Sequence, residues 1–248
     1  SEEQIVKCIE AGGKDISISL DSLKPSMQDG INGGFKNSWF RALNAMSIFT
    51  KHLDPKDSFA SLGCVLQKNN LNEIKKVIKF GTKIGWFTSL VPIHVTNQII
   101  PRGFRTFDQD LRFEENDFEK VDNLLDDIKV MKEQKYLLYD SEEYLENIKL
   151  FIRNKKITWR RKNENICDSP NLYFALLPNG EFSPCCDFRI ENSYPAYSKD
   201  FPKIYYEKTF RKEVLKVTKA CSGCMYGSYP EISISMRFMM AKLQRIKN

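Results

Sequence analysis

Histidine is almost missing from this sequence: His52 and His94 are the only two. That excludes histidine-rich metal centres and the helix-borne zinc-protease motifs. Long apolar runs are missing as well. The longest uncharged stretch, Ile84 to Pro101, holds two prolines, a histidine and polar amides, and does not read as a bilayer span. A strong charge of either sign is lacking: 38 Lys and Arg against 32 Asp and Glu leave +6 over 248 residues. The dense basic stretch of Lys155, Lys156, Arg160, Arg161 and Lys162 reads as a solvated loop, so no nucleic-acid partner is expected. Ser1-Glu2-Glu3 is acidic and polar, unlike a secretory leader. What remains, 42% hydrophobic and 28% charged, is an ordinary globular composition with length for one large domain or two small ones.

Cysteine is where the sequence departs from the ordinary. Of Cys8, Cys64, Cys167, Cys185, Cys186, Cys221 and Cys224, five lie in the last third. An odd count without a leader argues against a disulfide framework. The pair Cys221-Ser-Gly-Cys224 puts two thiolates on one tight turn, able to face one metal. Cys167 precedes twelve residues, Gly180, four residues and Cys185. Two β-prone runs flank Pro178-Asn179-Gly180, which predicts a hairpin returning Cys185 toward Cys167. Four thiolates suit zinc or an iron–sulfur cluster equally by count. Adjacent strand residues point to opposite faces, so Cys186 is expected to be a buried neighbour and not a ligand. Cys8 and Cys64 read as small core residues.

Along the chain, Ile16–Asp21, Ser58–Leu66 and Trp86–Val95 read as strands. Helices are expected from Asn37 to His52, and from a capping box at Asn70 and Glu73 to a stop at Gly81. Further helices start near Asn116 and at Ser141, and the glycines from Gly30 to Gly34 mark a plain loop. Strands alternating with helices imply a parallel α/β sheet of three βα units, with functional residues at the carboxyl ends of its strands. Its first strand needs an edge partner or lies bare. Phe104 to Phe113 reads as a substrate-facing loop, Ile157 to Asn165 as a basic linker, and Met236, Met239, Met240 and Leu243 as core packing of a terminal helix.

The segment from Ile16 through Asn69-Asn70-Leu71-Asn72-Glu73-Ile74 resembles the second half of a radical S-adenosylmethionine barrel. Cys167, Gly180, Cys185 and Cys221-x-x-Cys224 together resemble the auxiliary-cluster domain that follows such barrels, in its shortened "twitch" form and not the full SPASM form. The resemblance implies an α/β fold: the C-terminal half of a partial (βα)6 barrel over 1–156, then a small α+β cysteine-rich domain over 157–248. It implies that Cys167, Cys185, Cys221 and Cys224 hold an auxiliary [4Fe-4S] cluster, with zinc as the alternative metal. Ser19 and Asp21 match the strand position that meets the ribose of S-adenosylmethionine, and Leu90 to Pro92 the strand whose backbone lies near its adenine.

In this family a reduced [4Fe-4S] cluster splits S-adenosylmethionine, and the resulting 5′-deoxyadenosyl radical removes a hydrogen atom from the substrate. The cluster is held by C-x-x-x-C-x-x-C, which this sequence lacks. The segment that meets the amino group of S-adenosylmethionine is missing too, and Asn32 stands where an arginine is often found. The expectation is an N-terminally truncated radical S-adenosylmethionine oxidoreductase or maturase, inactive alone. Its implied partners are an electron donor such as flavodoxin or ferredoxin and a substrate among sugars, aminocyclitols, peptides and cofactor precursors. The implied setting is the reducing cytoplasm, with no membrane. The competing reading is a non-catalytic binding module with a structural zinc or iron–sulfur site.

Overall fold

The computed structural model describes residues 1–94, 113–160, 167, 169–186, 188–221 and 223–247. Val95 and the loop expected over residues 104–112 lie outside them, as do Arg161 and Lys162. By packing, the chain divides into two units: Ser1–Ile93 with Phe113–Asp140, and Ser141–Lys247 with His94–Arg112.

The first unit is a parallel sheet with helices. In chain order it holds α1 (Glu2–Glu10), β1 (Asp15–Ser19), α2 (Pro25–Ile31), α3 (Ser38–His52), β2 (Phe59–Leu66), α4 (Leu71–Lys83), β3 (Phe87–Pro92) and α5 (Glu115–Glu133). The strands lie in the order β1-β2-β3, in register Ser19↔Gly63 and Cys64↔Leu90. Leu62, Leu66, Ile74, Leu90, Leu125 and Ile128 form the sealed centre of this unit. The sheet has the three strands expected. Past α5, Thr88 donates its N–H to the Leu137 carbonyl and Tyr139 donates to the Thr88 carbonyl, so Leu138 makes an isolated parallel bridge beside β3. Two expectations fail here. Gly81 does not end α4: it is buried within the helix, which runs to Lys83 and turns at Gly85 with φ +77°. The capping box joins Gln67 and Asn70 around a 3-10 turn, Lys68–Asn70, instead of Asn70 and Glu73.

The second unit begins at α6 (Glu142–Ile152), whose N-cap Ser141 accepts the Tyr144 N–H. α7 (Ser169–Leu172) precedes the predicted hairpin, β4 (Ala175–Leu176) against β5 (Phe182–Ser183), whose turn has Gly180 at φ +81°. α8 (Phe201–Tyr205), α9 (Lys208–Ala220), α10 (Ser228–Arg237) and α11 (Met239–Lys247) follow. Phe182, Phe201, Phe210 and Val214 make one core cluster; each such side chain removed from water contributes about 2 kcal/mol. The methionine stripe is not core: Met236, Met239 and Met240 are 67%, 70% and 69% exposed. The helix breaks at Phe238, between α10 and α11. Among the described residues no helix is long and apolar enough to cross a membrane.

Candidate functional site

Three stretches of the second unit supply the cysteines. Cys167 precedes α7, Cys185 stands two residues past β5, and Cys221 caps the C-terminus of α9. Cys224 lies three residues on, across Gly223 at φ +100°. All four line one open-sided hollow, together with Trp159, Pro184, Phe188, Val217 and Tyr226. The predicted set therefore comes together, the hairpin delivering Cys185 as expected. Cys186 does not join it, and it is exposed where a buried neighbour was expected, because the chain bends after β5 instead of continuing as a strand. Cys8, expected in the core, is also exposed, on a helix that buries no residue. Cys64 is buried as expected, and burial pushes its thiol well up, with Asp21 and Asp140 adding to the effect.

The sulfurs are already met by backbone donors. The Gly223 N–H points at Cys221 Sγ (3.3 Å) and the Phe188 N–H at Cys185 Sγ (3.4 Å). Such N–H···S contacts favour thiolate and are a lever on the potential of iron–sulfur centres. Burial pushes the Cys224 thiol well above its usual range, and Cys221, Cys167 and Cys185 push it further. Four sulfurs converging on an apolar wall favour a positive core between them. Among the described residues no group of three or more His, Cys, Asp and Glu is arranged to hold a metal ion as the side chains stand. By residue type, four cysteine thiols in an apolar lining suit zinc or an iron–sulfur cluster.

The turn is pinned from outside. Trp159 Nε1 donates to the Cys224 carbonyl (3.0 Å), Tyr144 Oη donates to that of Met225 (2.7 Å), and the Met225 N–H donates to His94 Nε2 (2.9 Å). His94 stacks on Tyr226, ring centres 4.3 Å apart. Arg160 donates to the carbonyls of Cys221 and Thr218. Sequence reasoning missed this ring. The stretch expected as a solvated linker in fact buries Ile157, Trp159 and Arg160. The one signal available was the alternation of apolar Ile157 and Trp159 within the basic run.

The residues expected to meet S-adenosylmethionine lie in the first unit. Ser19 ends the edge strand β1 and is exposed. Leu90 and Pro92 are buried on β3, and the Leu90 N–H is taken by Asp140 Oδ2 at 2.6 Å. Asp21 is buried and engaged: it accepts from the Val65 N–H (2.7 Å) and Gln28 Nε2 (3.3 Å), while its carbonyl accepts from Asn70 Nδ2 (3.0 Å). Burial raises its pKa, and the bonds from Val65 and Gln28 oppose the rise. Asp21 therefore ties β1 to β2 within the protein.

No protein-family model matches the chain, and no curated protein matches it. Among solved structures the fold is similar to Streptococcus suis SuiB bound to S-adenosylmethionine, with TM-score 0.52, 10% identity, 92% of this chain covered and 52% of that one. A second SuiB crystal structure gives TM-score 0.52 and 10% identity over 92% and 53%. The chain spans about half the length of SuiB, and the likeness shows the fold: mixed α/β with a parallel sheet.

Proposed function

We propose that this chain is part of a radical S-adenosylmethionine enzyme: barrel units followed by a domain of the shortened twitch type that carries one auxiliary [4Fe-4S] cluster on Cys167, Cys185, Cys221 and Cys224. The observation that carries the reading is that these four thiols, from three separate stretches, line one apolar hollow. The parallel βα units and the likeness to an S-adenosylmethionine-bound structure support it. In this reading the cluster domain proper spans 157–248, and α6 is a barrel-side helix packed in the same unit. When bound, such a cluster supplies one-electron chemistry. The chain's own contribution is to exclude water with Trp159, Phe188 and Tyr226, to hold the C-x-x-C turn, and to aim two backbone N–H groups at sulfur.

S-adenosylmethionine would lie at the carboxyl ends of β1 and β3, against Ser19, Leu90 and Pro92, with Asp21 as the strut behind them. Hydrogen-atom abstraction in this family needs the C-x-x-x-C-x-x-C motif of the catalytic cluster, which this sequence does not contain, so in this reading a further segment supplies it in the active enzyme. The test is iron, sulfide and zinc content after anaerobic purification, beside Cys221→Ala. About four irons and four sulfides per chain, lost in the variant, are the expected result. One zinc without sulfide would replace the reading with a structural staple.

A further inference from the structure

We propose that Arg160 is the charge partner of the four-cysteine centre, a positioning residue that shapes the C-x-x-C turn and sets the potential of the cluster. This rests on the cluster reading above. Arg160 is 3% exposed. Its Nη1 donates to the Cys221 carbonyl at 2.5 Å and its Nη2 to the Thr218 carbonyl at 2.6 Å. Both acceptors are neutral. Among the described residues, the hydrogen bonds given for the guanidinium go to these two carbonyls, and its buried Nε has no hydrogen-bond partner. Taking a cation out of water costs several kcal/mol after relaxation unless an opposite charge repays it.

Part of that repayment is visible. Thr218 and Cys221 lie at the carboxyl end of α9, whose dipole offers roughly half a negative charge there. A helix end alone is a meagre partner for a sealed guanidinium; cations at helix ends normally keep their heads in water. The missing negative charge stands on the same turn. Four thiolates outweigh the positive iron core, so a loaded centre is anionic, and Arg160 is hydrogen-bonded to the residue that provides one of them. The guanidinium stem also shapes the turn. A Cβ on Gly223 would stand 3.5 Å from Arg160 Cδ and 2.5 Å from Ile157 Cδ1, so Ile157 and Arg160 press on the backbone between the two cysteines. A fixed cation beside the centre favours its reduced, more negative state and raises its potential.

The experiment compares the full chain with Arg160→Lys, Arg160→Gln and Arg160→Met after anaerobic cluster reconstitution. Three readouts are taken: iron loss to a chelator, midpoint potential by a dithionite titration followed by electron paramagnetic resonance, and melting of the metal-free proteins. The neutral Met and Gln variants are expected to lose iron roughly ten- to hundredfold faster and to shift to more negative potential. Lys, which keeps the charge, is expected to recover most of the potential. The metal-free Met variant should melt no lower than the parent, because its buried unpaired charge is gone. Gln behaving like Lys would overturn the charge-partner assignment in favour of hydrogen bonding alone. A lowered metal-free melt with unchanged potential in every variant that folds would leave a helix cap only. A parent chain without iron and sulfide would overturn the cluster reading itself, whereas a loaded parent indistinguishable from all three variants overturns this inference alone.

Discussion

Two buried carboxylates in the sheet unit titrate with opposite consequences. Asp21 sits above the ordinary carboxylate range because burial outweighs the bonds from Val65 and Gln28. Its folded form holds the proton more tightly than the unfolded chain does, so stability is lost as pH rises from the ordinary value through the raised one. Glu73 runs the other way. Burial pushes it up, but the ammonium groups of Lys76 (2.7 Å) and Lys24 (3.4 Å) outweigh burial and hold it below its usual 4.5. Its contribution is present above the unfolded value and is lost as pH falls through the lowered one. Asp21→Asn is therefore expected to flatten the decline on the rising side, and Glu73→Gln the loss on the acid side. Urea unfolding from about pH 3 to about pH 7 reads both. Because Lys24 and Lys76 are more than half exposed, Glu73→Gln should cost only about 1 kcal/mol at neutral pH. Neither role is legible in the sequence. Asp21 reads there as a strand-end ligand, and only the fold reveals that Val65, 44 residues on, takes its carboxylate.

At the scale of elements, α4 packs on the sheet through a glycine. A Cβ at Gly81 would stand 2.9 Å from Thr88 Oγ1, 3.0 Å from Leu62 Cδ1 and 3.0 Å from the Trp86 carbonyl. Gly81→Ala gains about 1 kcal/mol of helix propensity and loses roughly 1–3 kcal/mol to overpacking. The expected net is destabilisation by about 1 kcal/mol, read as a lowered denaturant midpoint at constant slope. A rise in midpoint would mean that the backbone gives way. A glycine near a helix end reads in sequence as a stop; that it serves as a contact depends on a strand seven residues later. The longer elements were legible because periodicity extends over many residues: β1, β2, α3 and α5 lie within a residue or two of expectation. The bridge at Leu138 was not, since a single paired residue carries no period. The burial of Arg160 was not legible either, because a charge run in sequence looks solvated. The grouping of the four cysteines around one hollow was legible because C-x-x-C spacing and one hairpin turn carry more information than local propensity.

For the whole molecule, burial is uneven within the first unit. β2 and β3 are half to fully buried, and α4 contributes Ile74, Val77 and Ile78 to the centre. On the other flank, among the described residues, β1 pairs only with β2, alternating exposed and half-buried residues; α1 buries nothing and α3 only Met46. Phe35 and Phe40 on this side are 55% and 63% exposed. Regions with few buried apolar side chains open at low free-energy cost, while elements in the sealed centre exchange only near global unfolding. Hydrogen exchange followed by mass spectrometry should therefore show two tiers on one chain. Amides of α1 and β1 are expected to exchange first, and those of β2, β3 and α4 last. The segment Leu137–Tyr139 should join the slow tier, because its backbone is paired with Thr88 and Leu138 is buried. Equal protection of β1 and β3 would mean that something covers the β1 edge in solution. In the proposed reading that cover is the barrel strand preceding β1, so adding the segment that supplies the catalytic cysteines should slow exchange in β1 selectively and leave β3 as it was.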